Sequence, residues 1–220
     1  MLTRVTISGA DDAVDRHDLR ALSLLFPFVE WAFLHSEKRG GSPRYPSRLW
    51  LEELQLDGSL AELPVAIHLC GEAARRVLSG GESAVMAERV QLNGYAPPAT
   101  SLRAITGIEW ILQVRDVEHL VGAAHDALRL GASLLFDPSG GQGIEPFRWP
   151  EAPLGVRMGY AGGINSENVE RVLDDIATEN LTIDTDWWID MESGVRTDDA
   201  FDLAKVRAVL ERAAPYVSAS

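Results

Sequence analysis

The sequence predicts a single (β/α)8 TIM barrel, and three observations predict it. Eight short apolar segments alternate with longer amphipathic ones, which is the pattern of a parallel sheet wrapped by helices. The chain has 220 residues, the length of one such barrel. The first strand is followed by Ser8-Gly9-Ala10-Asp11, which lacks the glycine-rich turn an open doubly wound sheet would want there. No linker, low-complexity segment or charge block interrupts the chain, so residues 1–220 are expected to form one domain.

The expected strands are Arg4–Ser8, Phe28–Leu34, Val65–Leu69, Arg89–Leu92, Trp110–Val114, Ser133–Phe136, Arg157–Tyr160 and Trp187–Met191. They are short and apolar, often β-branched or aromatic, and Gly, Pro or polar turns follow them. Helices are expected over Gly71–Leu78, Val117–Leu130, Ser166–Thr178 and Leu203–Ala214. In the second, Val117, Leu120, Val121, Ala124 and Leu128 recur at spacings of three and four and mark the buried face. In the third, Ser166 is the expected N-cap, with Val169, Val172, Leu173 and Ile176 as the buried stripe. Helices after strands two and four carry weaker patterns, and Ala96–Ile105 reads as a short turn.

Composition narrows the function. Apolar residues make up 46% and charged residues 24%, a globular balance that excludes disorder for the bulk of the chain. There are 20 basic against 33 acidic residues, a formal net charge of −13. Such a field repels a nucleic-acid backbone and anionic membrane surfaces. A small anionic substrate is still allowed, because backbone N–H groups can hold a phosphate inside an acidic protein. Cys70 is the lone cysteine, so no internal disulfide forms, which suits a reducing compartment. Met1-Leu2-Thr3-Arg4 runs straight into a strand, and the greasiest stretch, Leu22–Val29, is broken by Ser23 and Pro27. The expectation is a cytoplasmic protein, monomer or homodimer, with no membrane or nucleic-acid partner.

In such a barrel, chemistry sits at the C-terminal ends of the strands. Strand one ends at Ser8, with Asp11 and Asp12 beyond it. Strand two carries Glu30 and leads to Arg39, Arg44 and Tyr45. His68 and Cys70, Gln91 and Asn93, and Asp190 and Glu192 are pairs two residues apart, so each pair shares a face. Strand five adds Gln113 and strand six Asp137. A polar pocket lined by Glu30, His68, Gln91, Asn93, Gln113 and Glu192 is expected, since unpaired polar groups inside a barrel cost about 1–3 kcal/mol each. Two glycine turns, Gly140-Gly141-Gln142-Gly143 and Gly162-Gly163, together with Ser193-Gly194-Val195-Arg196, suit a phosphate.

These residues resemble the phosphoribosylanthranilate isomerase family of the tryptophan pathway. Thr6-Ile7-Ser8-Gly9 resembles its Lys-Ile-Cys-Gly opening, and Ser42-Pro43-Arg44-Tyr45 its Ser-Pro-Arg-Tyr loop. Val90-Gln91-Leu92-Asn93-Gly94 resembles Val-Gln-Leu-His-Gly. Leu134-Leu135-Phe136-Asp137, Gly140-Gly141-Gln142-Gly143 and Phe147-Arg148-Trp149 resemble Leu-Leu-Leu-Asp, Gly-Gly-Thr-Gly and Phe-Asp-Trp. Ala161-Gly162-Gly163-Ile164, then Asn168-Val169, resembles Ala-Gly-Gly-Leu with Asn-Val, and Asp190-Met191-Glu192-Ser193-Gly194-Val195 resembles Asp-Val-Ser-Ser-Gly-Val. The matches run in order along nearly the whole chain.

The resemblance implies a barrel of the ribulose-phosphate-binding type and an Amadori rearrangement, in which an aldose amine becomes a ketose amine. It implies no cofactor or metal. It gives the acid to Asp137, the base to the position of Ser8, the grip on a substrate carboxylate to Arg44, and phosphate to Gly141, Gly143, Gly162, Gly163, Ser193, Gly194 and Arg196. The departures are specific. Serine stands where the family has its cysteine base, Asn93 where it has a histidine, and no lysine follows the loop after strand eight, in Thr197–Leu203. A serine hydroxyl is no base without a partner. Asp190 or Asp11 could serve with Asp137 as a carboxylate pair, or could be a barrel-core hydrogen bond and a loop cap respectively. Arg44 and Arg196 could equally be surface charges, and Cys70 a small buried hydrophobe. A non-catalytic relative that binds a metabolite is the alternative. A Schiff-base aldolase is excluded by the placement of the two lysines, Lys38 and Lys205, away from strand ends.

Overall fold

A computed structural model describes residues 1–56, 62–82, 87–182 and 185–217. Eight parallel strands close into a barrel in sequence order. They are β1 (Leu2–Ser8), β2 (Val29–His35), β3 (Val65–Leu69), β4 (Arg89–Leu92), β5 (Glu109–Val114), β6 (Ser133–Phe136), β7 (Met158–Ala161) and β8 (Trp187–Met191). The helices are α1 (Arg16–Leu25), α2 (Arg48–Leu56), α3 (Glu72–Leu78), α4 (Leu120–Leu130), α5 (Val169–Glu179) and α6 (Leu203–Ala213). A short antiparallel hairpin, β9 (Arg196–Thr197) with β10 (Ala200–Phe201), sits between β8 and α6. No described helix is long and apolar enough to cross a membrane.

The expected strands are all present, but the helices bring corrections. Helix α1, missing from the sequence reading, starts where the Asp15 carboxylate accepts a hydrogen bond from His17 N at 2.9 Å. Helix α5 begins at Val169 with Asn168 as its cap, not at Ser166. Its stripe of Val169, Val172, Leu173 and Ile176 is buried as the spacing predicts. The face predicted for the helix after β5 holds at Leu120 and Ala124 only. Helix α4 buries Leu120, Ala123, Asp126, Ala127 and Leu130, while Val117, Val121 and Leu128 are exposed.

Asp126 explains part of that rotation. The β4–β5 connection contains no helix, and Asp126 anchors it from α4. Its carboxylate accepts hydrogen bonds from Tyr95 OH at 2.7 Å and Ala99 N at 2.6 Å. Turning α4 to bury Val121 would turn this acceptor away from the donors it satisfies.

The barrel interior is layered. At the lower end Glu30 accepts hydrogen bonds from Arg4 at 2.7 Å, Thr6 at 2.9 Å and Arg89. Arg89 also meets Glu109 at 3.2 Å. Burial pushes the Glu30 carboxyl up, but Arg89 and Arg4 outweigh it and hold it below the usual range. Glu30 was expected to line the pocket; it belongs instead to this lower network. Above lies an apolar layer of Trp188, Ile111, Leu135 and Ala161. The Arg89 guanidinium packs 4.6 Å from the Trp188 ring centroid. A Cβ at Gly159 would run into that ring, so only glycine fits on β7 beside it.

Replacing Glu30 by leucine would leave Arg89 buried without its closest partner. Loss of one member of a buried pair costs about 3–5 kcal/mol. Urea denaturation of Glu30→Leu should show a loss of that order; a loss under about 1 kcal/mol would mean the network contributes little.

Candidate functional site

The layer above Trp188 opens into a cavity of about 670 Å³ at the C-terminal ends of the strands. Its placement follows from the period of two along each strand. Asp190 stands two residues beyond Trp188, Asp137 two beyond Leu135, Gln113 two beyond Ile111 and Gln91 two beyond Arg89, all on inward faces.

Asp137 accepts hydrogen bonds from Gln113 Nε2 at 2.8 Å, Ser139 Oγ at 2.8 Å and Gly140 N at 3.1 Å. Gln113 in turn accepts from Gly94 N at 3.1 Å, which ties this carboxylate to the β4 loop. Across the barrel, Ser8 Oγ donates to Asp190 Oδ1 at 2.7 Å. The other Asp190 oxygen lies 3.6 Å from His68 Nε2. Burial is the main force on Asp190 and pushes its pKa up to about 8; Asp137, Glu30 and Glu192 add to the rise, against the Ser8 hydrogen bond. Burial likewise pushes His68 down to about 4, so the imidazole is neutral. A hydrogen-bonded chain continues from His68 to Gln91 at 3.4 Å, Gln91 to Asn93 at 2.8 Å and Asn93 to Cys70 Sγ at 3.2 Å. Burial pushes the Cys70 thiol up to about 11, which keeps it a thiol.

The glycine turns of the β6, β7 and β8 loops meet at one side of the cavity. Gly141, Gly143, Gly162, Gly163, Ser193 and Gly194 all line it. Two of these glycines are required by packing as well. A Cβ on Gly163 would stand 2.5 Å from Glu145 N, and its φ of +66° favours glycine. A Cβ on Gly194 would run into the Ile164 carbonyl oxygen.

Arg44 and Glu192 line the cavity too, as an ion pair at 2.8 Å. Burial and Asp137 push the Glu192 carboxyl up, against Arg44 and Arg196. Two expected site residues lie outside. Arg196 has a side chain only 3% exposed and donates to the carbonyls of Gly9 and Asp199. Asp11 meets Arg196 at 3.2 Å and accepts from Arg44 N at 2.8 Å. The pair braces the β1, β2 and β8 loops and is not aimed at the cavity. Arg75, Arg115, Ser139 and Asp199 line the cavity without having been singled out. Arg115 directly follows the last residue of β5, and that adjacency was the available signal.

No protein-family model matches the chain, and no curated protein matches it. Its fold is nevertheless shared with solved enzymes. It superposes on N-(5'-phosphoribosyl)anthranilate isomerase from Pyrococcus furiosus with a TM-score of 0.54 at 15% identity, covering 97% of this chain and 99% of that one. Phosphoribosyl anthranilate isomerase from Thermococcus kodakaraensis gives a TM-score of 0.57 at 14% identity, covering 96% and 98%. At such identities the likeness establishes the barrel fold over the whole chain and nothing finer.

Asp190 generates a stability prediction. The folded chain keeps it protonated up to about pH 8, whereas the unfolded chain ionises it above roughly pH 4. Its contribution to stability is therefore fully present below about pH 4 and lost as pH rises to about 8. Asp190→Asn removes this term. Thermal and urea unfolding should find the variant more stable than the parent at pH 9, by about 2 kcal/mol or more, with a much smaller gap at pH 5. An equal gap at both pH values would contradict the assigned shift.

Proposed function

We propose that the chain is an isomerase-like enzyme, of the phosphoribosylanthranilate isomerase type, acting in the cytoplasm on a small phosphorylated sugar or its amine adduct. The reaction is an Amadori-type aldose–ketose rearrangement. The observation that carries this reading is the pair of carboxyls, Asp137 from β6 and Asp190 from β8, in one cavity beside the converging glycine loops.

The roles follow from their surroundings. The acid gives a proton to the ring oxygen as the C1–O bond opens and the amine nitrogen forms an iminium. The base takes the proton from C2, and that electron pair neutralises the iminium as an enamine, which tautomerises to the ketose. Asp190 is protonated at neutral pH and is the donor. Asp137 receives three donors on its oxygens and is the acceptor. This reverses the role that the resemblance implies for Asp137, and it releases Ser8 from any need to be a base. Ser8 instead holds Asp190 in place. The glycine loops supply backbone N–H groups for the phosphate. The alternative, a relative that binds without turnover, predicts that Asp137→Asn leaves function intact.

The test is an assay of purified protein with glycosylamines of ribose 5-phosphate bearing anthranilate, aniline or ammonia. Turnover of at least one is expected. Asp137→Asn and Asp190→Asn should each lower it by about 100-fold or more. The rate should fall above about pH 8, as Asp190 loses its proton. Binding with no turnover of any adduct would favour the non-catalytic alternative, and a rate that rises through about pH 8 would make Asp190 the base.

A further inference from the structure

The cavity is electrically lopsided. Arg44 is the lining arginine that pairs with Glu192, and each of its three nitrogens already meets a carboxylate. Its Nη1 meets Glu192 at 2.8 Å and its Nη2 meets Asp199 at 2.6 Å. Its Nε also donates to Asp199 at 2.8 Å. The other lining arginines, Arg39, Arg75 and Arg115, are exposed. Arg75 pairs with Glu72 and Arg39 lies against Tyr45, 5.3 Å from its ring centroid. Arg115 lies over Gly140.

The floor is the reverse. Asp137 and Asp190 are each 5% exposed, and no lysine or arginine among the described residues pairs with either. Their partners are neutral: Ser8 and His68 for Asp190, and Gln113, Ser139 and Gly140 for Asp137. Asp137 and Glu192 stand close enough to Asp190 to help burial keep its carboxyl protonated at neutral pH. A second observation points the same way. Gln91 is 3% exposed and lines the cavity, and its Oε1 accepts no hydrogen bond from any described residue. The floor therefore offers acceptor oxygens on Asp137 and Gln91 and no cation, while His68 Nε2 beside Asp190 also lacks a hydrogen bond among the described residues.

We propose that the cavity takes a ligand with an anionic phosphate at one end and a protonated amine at the other, the amine seated on the floor between Asp137, Asp190 and Gln91. An ammonium group has three donors and no acceptor, which matches what the floor lacks. Glu192 sets the specificity. By occupying Arg44 it acts as a built-in carboxylate, so a ligand carboxylate finds no free cation there and meets like charges instead. This inference rests on the sugar-phosphate reading above and narrows its substrate to sugar phosphates without a carboxylate that carry a protonated amine besides any neutral nitrogen whose lone pair opens the ring.

Three probes share a phosphate and a six-carbon chain and differ in charge near the other end: glucosamine 6-phosphate, glucose 6-phosphate and 6-phosphogluconate. Titration calorimetry on the whole protein at pH 7 should rank them in that order. The amine should bind at least about tenfold more tightly than the carboxylate. Glu192→Gln removes one carboxylate and frees Nη1 of Arg44, with Asp199 still on Nε and Nη2, and should cut that ratio by about tenfold. Arg44→Met should keep the ratio, and it serves if Glu192→Gln fails to fold. Equal binding of the three, tighter binding of 6-phosphogluconate, or its loss in Arg44→Met overturns the inference while leaving the sugar-phosphate reading standing. Failure of all three probes and of inorganic phosphate to bind overturns both.

Discussion

A closed barrel must fill its own interior, and this chain fills it with one large ring. Trp188 occupies the middle layer, wedged beside Gly159 and resting on the Arg89 guanidinium. Everything above and below is sorted by that ring. Beneath it, Glu30, Arg89 and Glu109 satisfy one another as a network. Above it, Asp190 cannot reach that network, because the indole stands two residues below it on the same strand. The charged neighbours of Asp190 are other carboxyls, Asp137, Glu30 and Glu192. The raised pKa of Asp190 is thus a consequence of core packing as much as of the site itself.

The same separation bears on the proposed reaction, in which a serine stands where the resemblance puts a base. A thiol can be tuned toward the thiolate near neutral pH, and a serine hydroxyl cannot. Ser8 therefore contributes a hydrogen bond and no charge. It donates to Asp190, and in the proposed reaction the proton is carried by that carboxyl, whose pKa burial raises to about 8. Sites that work this way give up stability to hold a charged group in an unfavourable place.

The strands were legible because they follow a local rule. β3, β4, β6 and β8 begin and end where the apolar runs do, since each run is bounded by polar or turn residues. The helices were less legible where tertiary contacts set the face. On and just before α4 the large residues Val117, Val121 and Leu128 look like a core stripe, yet Ala123 and Ala127 pack inward and Asp126 is held there by Tyr95 and Ala99. Nothing local to α4 announces that partner, which lies about thirty residues upstream. In the site, alternation along the strands found Asp137, Asp190, His68 and Gln91. It could not tell Glu30 from them, because a period of two gives the face and not the height along the barrel. Nor could it show that Asp11 and Arg196 would pair with each other across loops from opposite ends of the chain.

The acidity of the whole chain and the acidity of the cavity floor are different matters. Surface carboxylates are screened by salt and keep the protein soluble. The carboxyls above Trp188 are buried and screened far less, so they set which ligand charge can enter. The rim carries exposed arginines and the converging glycine loops, while the floor carries carboxyls with neutral partners only. A ligand that is anionic throughout satisfies the rim and is opposed at the floor; a neutral one satisfies neither. The proposed ligand, with charge of both signs in the right order, meets both the rim and the Asp137 carboxylate of the floor. The Glu192–Arg44 contact is the point at which fold and proposed substrate choice separate: the barrel is shared with solved isomerases at 15% identity, while the proposed discrimination against a ligand carboxylate rests on one ion pair.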